Sequence, residues 1–320
     1  MFLITEISSN KPLITMADIN YDPTERLYLF KSINNRWYSD KYPVENYYEV
    51  PKNKENLDKH LLDIRSSKPQ IIDSVYMGIF HMLYDGILRF WANKDFFINN
   101  DVELVIDTAH FSIWPFGRSI FDLNIRVYDR LGIKYKVIDT TAREGLISQT
   151  LINFHDIFPM NVSQNTIIEF NNFLNTEFNL GWETKEPTKK VYVSRNKIDR
   201  MNTRIQNEIA LHQYLEDNGF EIIYTEEFGS IFDQIKFMSE VKTLASVTSS
   251  GITNSLFMKP GSNILEFTTA FTIEGRTELH TQYPTMAYNL SHKYYSVPNL
   301  ACSAETLIPK IHESRVLEIL

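Results

Sequence analysis

Cysteine is nearly absent from this chain: Cys302 is the only one among 320 residues. One cysteine forms no internal disulfide, and no cysteine or histidine spacing matches a metal site. The sequence also lacks a run of about 18 apolar residues, the length at which a segment is read as membrane-spanning. Its first residues lack the basic start of a signal peptide. We therefore expect a soluble cytoplasmic protein with no membrane span and no metal site.

A surplus of positive charge is missing as well. The formal net charge is −8, which disfavours nucleic acid as a partner, because nucleic-acid-binding proteins carry basic surfaces. Three signature motifs are absent: the dinucleotide G-x-G-x-x-G, the Walker G-x-x-x-x-G-K-[ST] and the G-x-S-x-G nucleophile elbow. Hydrophobic residues make up 43% of the chain, which is ordinary for a folded globular protein.

What the sequence does contain is an alternation of short apolar runs with helical patterns. This alternation is typical of a parallel sheet and predicts an α/β fold with two Rossmann-like lobes. Strands are predicted at 102–108, 134–140, 190–195, 220–225, 241–247 and 262–267. Helices are predicted from Ile71 through Phe97 and at 116–132, across most of 142–188, and at 207–218, 230–240, around 254–258 and 304–320. The polar segment 181–190 predicts a boundary between an N-terminal lobe, residues 1–185, and a C-terminal lobe, residues 186–320.

Three arginines follow the predicted strand 190–195. Arg195 stands at its end, and Arg200 and Arg204 lie in the next loop or first helical turn. Strand ends face the cleft in such folds, and a planar guanidinium binds two oxygens of a diphosphate at once. Pairing of these arginines with surface carboxylates is the alternative.

A second cluster is the turn SVTSSGITN, residues 246–254, where a predicted strand meets a predicted helix. Ser249, Ser250 and Gly251 offer hydroxyls and backbone N–H groups at a helix start, which is a ready site for an anion. Asn254 lies within the first turns. A plain serine-capped helix has the same composition, so this turn alone does not decide between binding and capping.

His81 and Asp85 form the third cluster, four residues apart within FHMLYDGILR. That spacing places both side chains on one helix face. Either can accept a proton, and each can tune the other by a hydrogen bond. A pair that crosslinks the helix is the alternative, since apolar residues surround it in the sequence.

These segments together resemble glycosyltransferase family 61. The resemblance covers about 190–267 well and 76–91 more thinly. In the C-terminal part, the family's motif residues fall on Arg195, Arg204, Asn207, Glu208, Gln234, Gly251, Thr253, Asn254, Pro260, Gly261 and Glu266. In the N-terminal part they fall on His81, Asp85 and Arg89. One departure is clear: the family usually has His-Gly-Ala-Gly where this chain has Thr248-Ser249-Ser250-Gly251.

The resemblance implies an inverting glycosyltransferase with two Rossmann-like lobes and a cleft between them, the arrangement called GT-B. Its donor would be a nucleotide sugar, UDP-linked, carrying xylose, N-acetylglucosamine or a similar sugar, and its acceptor a glycan bound by the N-terminal lobe. Arg195, Arg200, Arg204, the 249–251 turn and Asn254 would bind the donor, and Glu266 would orient the ribose or its own strand. Asp85, oriented by His81, would be the base.

No cofactor is expected, because the chain has no Asp-x-Asp motif to hold a divalent cation. Two alternatives stay open at this point. One is a polysaccharide-modifying transferase of another type, such as a pyruvyl transferase. The other is a catalytically silent glycan-binding module, since the family histidine is missing. The absence of a membrane anchor also favours a soluble microbial or viral member.

Overall fold

The structure, a computed structural model, describes residues 28–33, 36–37, 47–49, 61–63, 70–73, 79–108, 117–139, 145–148, 151–153, 162–195, 208–268, 271–273, 276–278 and 282–298. It is an α/β protein with parallel sheets. In chain order the strands are β1 Tyr28–Ile33, β2 Arg36–Trp37, β3 Tyr47–Glu49, β4 Leu61–Asp63, β5 Gln70–Asp73, β6 Glu103–Asp107, β7 Tyr135–Ile138, β8 Gly145–Ser148, β9 Leu151–Asn153, β10 Lys189–Val193, β11 Glu221–Ile223, β12 Val241–Val247, β13 Asn263–Thr268, β14 Phe271–Ile273, β15 Arg276–Glu278 and β16 Lys293–Pro298.

The helices lie between these strands. They are α1 Leu88–Ala92, α2 Lys94–Asn99, α3 Gly117–Leu131, α4 Gln164–Glu177, α5 Glu208–Asp217, α6 Ile231–Met238 and α7 Gln282–Asn289. A π-helix, His81–Ile87, leads into α1, and two 3-10 helices span Thr225–Glu227 and Ser250–Phe257. Serine caps explain two of the starts: the Ser163 and Ser230 hydroxyls accept from the backbone N–H groups of Thr166 and Asp233.

Contacts divide the chain into two compact units. The first contains residues 1–74, 93–110 and 125–160, and the second contains 75–92, 111–124 and 161–320. This grouping differs from the single boundary predicted between residues 185 and 186. The helix of His81 and Asp85 groups with the C-terminal residues.

The first unit holds two sheets. One has the order β2-β1-β8-β4, with β3 also paired to β1. The other is fully parallel and has the order β7-β6-β5-β9. Its β6 is buried along most of its length, which explains the continuous apolar run of VELVID.

The second unit is built on a five-stranded parallel sheet with the order β11-β10-β12-β13-β16. One face of this sheet packs against α5 in an apolar cluster that contains Tyr192, Leu211, Leu215, Ala245 and Phe267. Because side chains alternate along a strand, Ser246 and Glu266, each next to a cluster residue, point to the other face. Ser246 and Glu266, both buried, therefore lie on the face away from the apolar cluster.

Most predicted elements of the second unit are confirmed, and two predictions elsewhere are wrong. Ile71 and Ile72 belong to β5, paired with β6, and not to a helix. Residues 145–148 and 151–153 are strands within the segment predicted as mostly helical. Short apolar runs fit a buried strand and a buried helix equally well, which accounts for both errors. The predicted helix 304–320 lies outside the described residues, as do the side chains of β5 beyond Ile71.

Candidate functional site

The strand order of the second unit defines a point at which the chain changes direction across the sheet. From β10 the chain passes to β11 on one side and then to β12 on the other. Ligands of open α/β sheets bind outside the carboxyl ends of the strands at such a point. The register keeps these ends level, because Val193 of β10 pairs with Ile223 of β11 and with Ser246 of β12. The candidate site is therefore the edge where β10 and β12 end.

The predicted anion turn lies at this edge, directly after β12. The Ser249 hydroxyl accepts from the Gly251 N–H at 3.2 Å, and the Ile252 N–H donates to the Ser249 carbonyl at 3.1 Å. These contacts cap the 3-10 helix Ser250–Phe257, so Ser249 is a true capping residue. Ser249 and Gly251 are buried, whereas Ser250 is partly exposed. Ser250 is accordingly the member of the turn best placed to meet a ligand.

The turn is also held tightly against β10. The Ser246 hydroxyl donates to the Val193 carbonyl at 3.0 Å. A Cβ added to Gly251 would lie 2.9 Å from Cγ1 of Val193 and 3.0 Å from the Ser246 hydroxyl. Glycine is thus needed at 251 because the start of the 3-10 helix packs directly on the end of β10.

Thr248, which replaces the family's histidine, forms a buried hydrogen-bond chain. Its hydroxyl donates to Oε1 of Glu266 at 2.5 Å, and the Tyr294 hydroxyl donates to Oε2 of the same carboxylate. Thr248 and Glu266 are each 1% exposed. Burial, and then the Glu266 carboxylate, raises the pKa of Tyr294, so this phenol stays protonated as a donor.

A second chain of side chains supports the same turn from below. The Gln234 amide donates to Oδ1 of Asn254, and Nδ2 of Asn254 donates to the Gly251 carbonyl at 2.8 Å. Gln234 and Asn254 are fully buried. The oxygen and the nitrogen of the Asn254 side-chain amide therefore both form hydrogen bonds within the protein. The predicted contact of Asn254 with the nucleotide sugar stays a prediction.

The far end of the 3-10 helix is fixed by two further residues. Nδ2 of Asn171 donates to the Leu256 carbonyl at 2.9 Å, and Nε2 of His292 lies 3.1 Å from the Ser255 carbonyl. Burial lowers the pKa of His292 to about 4, so the ring is neutral near pH 7 and donates through Nε2.

Arg195 stands at the end of β10, as predicted, and its side chain is partly buried. The preceding Ser194 N–H donates to the Ile223 carbonyl at 2.9 Å, which extends the pairing of β10 with β11 to this point. Arg195 thus lies at the same sheet edge as the turn after β12. Arg200, Arg204 and Asn207 lie outside the described residues, so their predicted roles stay predictions.

The predicted His81–Asp85 helix is a π-helix over this stretch, and the Leu88 N–H bonds to the Leu83 carbonyl five residues back. Such wide turns occur frequently at functional sites. The Phe80 ring packs on His81, with centroids 5.3 Å apart, and on Tyr283 of α7 at 5.6 Å. Only the backbone of Asp85 is described.

Packing connects this helix with the strand beside the buried carboxylate. Tyr283 of α7 touches Phe80, α7 packs against β16, and Tyr294 of β16 donates to Glu266. The second unit thus brings the His81 helix towards the network beneath the turn. Arg89, the last family motif residue on this helix, is 1% exposed and buried in the unit.

Sequence reasoning missed Tyr294, Tyr283 and His292. Tyr283 lies on α7, Tyr294 lies on β16, and His292 directly precedes β16, so their roles depend on the pairing of β16 with β13. The aromatic, β-branched run KYYSV after a polar stretch was the available signal for a strand.

A pocket of about 770 Å³ lies at the opposite, amino edge of the same sheet. Its lining includes Lys185, Glu186, Lys236, Ser239 and Glu240, and none of the predicted site residues. Chemistry in parallel α/β sheets belongs to the carboxyl edge, so volume alone does not make this pocket the site.

Two further features of the described residues concern metal binding and membrane crossing. No group of three histidine, cysteine, aspartate or glutamate side chains there has the geometry to hold a metal ion. None of the helices in these segments has both the length and the apolar character to cross a bilayer.

The fold first defines the class: an α/β protein whose parallel sheets and helices are consistent with a Rossmann-like arrangement. The model of the family Glycosyltransferase 61 then matches residues 79–265, more than half of the chain, so the chain belongs to that family. The protein is a glycosyltransferase. The match includes the His81 helix, Arg195, the turn after β12 and the first half of β13, and it ends one residue before Glu266. No curated protein matches the chain.

Proposed function

We propose that this protein is an inverting, metal-independent glycosyltransferase of GT-B type that uses a UDP-linked sugar. The observation that carries the proposal is the turn after β12, fixed by buried hydrogen bonds at the switch point of a parallel sheet. A preorganised turn of this kind stabilises charge on a leaving group without reorganising as the reaction proceeds.

The diphosphate would lie between the ends of β10 and β12. Arg195, Arg200 and Arg204 would bind its oxygens as planar donors. At the turn, Ser250 would make the closest contact, because Ser249 already accepts from the Gly251 N–H. Glu266 would act beneath the site by holding Thr248, which is the second of its two predicted roles, that of orienting its own strand and turn.

Transfer would proceed by a single displacement. The acceptor hydroxyl oxygen attacks C1 of the donor sugar while the bond from C1 to the β-phosphate oxygen breaks, with inversion at C1. The proton of the acceptor hydroxyl passes to Asp85, and the electron pair of the broken bond stays on the nucleoside diphosphate. His81 would orient Asp85. The N-terminal residues would bind the glycan acceptor, with xylose, N-acetylglucosamine or a similar sugar transferred.

Asp85→Asn tests the base. The substitution should reduce transfer about 10²- to 10⁴-fold, the usual contribution of a general base, and leave UDP affinity unchanged. His81→Gln serves as the paired variant, with a smaller loss expected because His81 acts through Asp85. Transfer is measured by release of UDP with a panel of glycan acceptors, and UDP affinity by calorimetry. Near-normal turnover in Asp85→Asn would show that the base lies elsewhere.

Thr248 supports one second candidate, a catalytically silent glycan-binding module derived from the family. Its hydroxyl, in place of an imidazole, is bonded inward to Glu266. This candidate predicts no UDP release under any acceptor condition, whereas the main proposal predicts both UDP binding and UDP release. Membership of the family disfavours the pyruvyl-transferase alternative.

A further inference from the structure

A third turn lies at the same edge of the sheet, after β11. Tyr224 follows this strand, and a 3-10 turn, Thr225–Glu227, is closed by the Glu227 N–H donating to the Tyr224 carbonyl at 3.0 Å. The register places the turn after β11 and the turn after β12 at equivalent positions relative to β10. Glu226 lies three residues beyond Ile223, and Ser249 three residues beyond Ser246, and both reference residues pair with Val193.

Glu226 is unusual because both of its carboxylate oxygens are buried and accept no hydrogen bond from any described residue. Burying an ionised carboxylate without donors is costly. The neighbouring Glu227 and Glu221 are exposed and carry no such cost. The other buried carboxylate of this sheet, Glu266, has a hydroxyl donor on each oxygen. Glu226 thus places at the carboxyl edge of the sheet a carboxylate that accepts no hydrogen bond from the described part of the chain.

The fold indicates what would fill that capacity. In doubly wound nucleotide-binding sheets, phosphate binds after the first strand, and a carboxylate after the second strand accepts from the ribose hydroxyls. Here β10 is the first strand and β11 the second. The two neighbouring hydroxyls of a ribose supply two donors for two oxygens, and a carboxylate accepts but never donates.

We propose that Glu226 binds the ribose hydroxyls of the donor nucleotide and makes the site selective for ribonucleotides over 2′-deoxyribonucleotides. This inference rests on the proposed function, since it requires a nucleotide at the switch point. It moves the ribose contact from Glu266, whose oxygens are already bonded, to the turn after β11.

The test compares Glu226→Gln with Glu227→Gln, a neighbouring substitution with the same charge change on an exposed side chain. Each protein is titrated calorimetrically with UDP, with 2′-deoxy-UDP and with inorganic pyrophosphate. Wild type should bind UDP about 10- to 100-fold more tightly than 2′-deoxy-UDP, the range for a hydrogen bond to a charged group. Glu226→Gln should lose most of this preference and keep its pyrophosphate affinity, whereas Glu227→Gln should behave as wild type.

The results separate this inference from the proposed function. If wild type binds UDP and Glu226→Gln keeps the full preference, the ribose contact is elsewhere and the proposed function stands. If wild type binds neither UDP nor 2′-deoxy-UDP, the nucleotide site is absent and both proposals fail. Misfolding is checked by thermal unfolding, in which Glu226→Gln should be no less stable than wild type, because the substitution keeps the side-chain volume and breaks no hydrogen bond with the described residues.

Discussion

The turns after β12 and after β11 lie at the same level of one sheet, yet the carboxylates next to them differ in their hydrogen bonding. Beneath the first turn, Glu266 receives hydroxyl donors from Thr248 and Tyr294. In the second, the side chain of Glu226 is partly buried, and its two carboxylate oxygens are buried with no donor among the described residues. A carboxylate whose oxygens accept hydrogen bonds within the protein fixes the shape of a site. A carboxylate without such donors can accept them from a ligand. The difference separates residues that build this edge from residues that bind there.

Removing the two charges one at a time should give the largest contrast. Glu266→Gln should lower the free energy of unfolding by about 3 kcal/mol, because it replaces two charge-assisted hydrogen bonds by weaker neutral ones. Glu226→Gln should cost nothing. Urea unfolding of both variants measures the difference. Equal losses would remove the distinction between the two turns.

The pH dependence of unfolding should test the role of His292, one of the residues that hold the 3-10 helix. His292 has a folded-state pKa of about 4 against an ordinary value near 6.5. Between these values the unfolded chain binds a proton that the folded chain does not. Stability from this group is therefore complete above pH 6.5 and is lost as the pH falls to about 4, a total of about 3 kcal/mol.

The matched variant for this series is His292→Gln, which retains a donor for the Ser255 carbonyl and has no proton to gain. Urea unfolding at pH 7, 6 and 5 should show a shallower loss of stability for the variant than for wild type. Parallel pH profiles would mean that His292 does not stay neutral in the folded protein.

Adding one methyl group at the turn should give a smaller effect on stability with a clear effect on binding. In Gly251→Ala the new Cβ meets Val193 and Ser246 at 2.9 and 3.0 Å. Overpacking of this kind costs about 1 to 3 kcal/mol, and the shifted turn should bind UDP less tightly. Gly219→Ala is unsuitable as its control because Gly219 has a φ of +81°.

Ser250→Ala, at the partly exposed position of the turn, separates the loss of a ligand contact from a change in the turn's geometry, since it should weaken UDP binding with stability unchanged. Unaltered UDP affinity in Gly251→Ala would detach the turn from the donor site.

The sequence predicted the strands and the polar turn of this site, but it did not predict the direction in which the polar side chains point. Strands β10 to β13 were predictable because each is a short apolar run bounded by turns. The hydroxyls of Thr248 and Ser249 were predictable as a cluster, but their inward orientation was not. It depends on Val193, Glu266 and β16, which are remote in sequence. Tyr294 reaches Glu266 across 28 residues through the pairing of β16 with β13, and no local pattern encodes that partner.

The grouping of the His81 helix with the C-terminal residues was hidden for the same reason. Trp91 of α1 packs on Phe170 and Phe173 of α4, and its indole donates to Glu169 at 2.9 Å. A boundary placed by composition at 181–190 follows the polarity of the chain, whereas these contacts are made by apolar helix faces about 80 residues apart in the sequence.

We propose that the donor binds at the carboxyl edge of the sheet and not at its amino edge, where a pocket of about 770 Å³ lies. Calorimetric titration with UDP of wild type, Arg195→Ala and Lys236→Ala tests it most directly, because the two substitutions remove the same charge at opposite edges. We predict that Arg195→Ala weakens UDP binding at least 10-fold, as expected for a lost charge-assisted contact, and that Lys236→Ala matches wild type. The reverse order of affinities, or equal affinities in all three proteins, would contradict it.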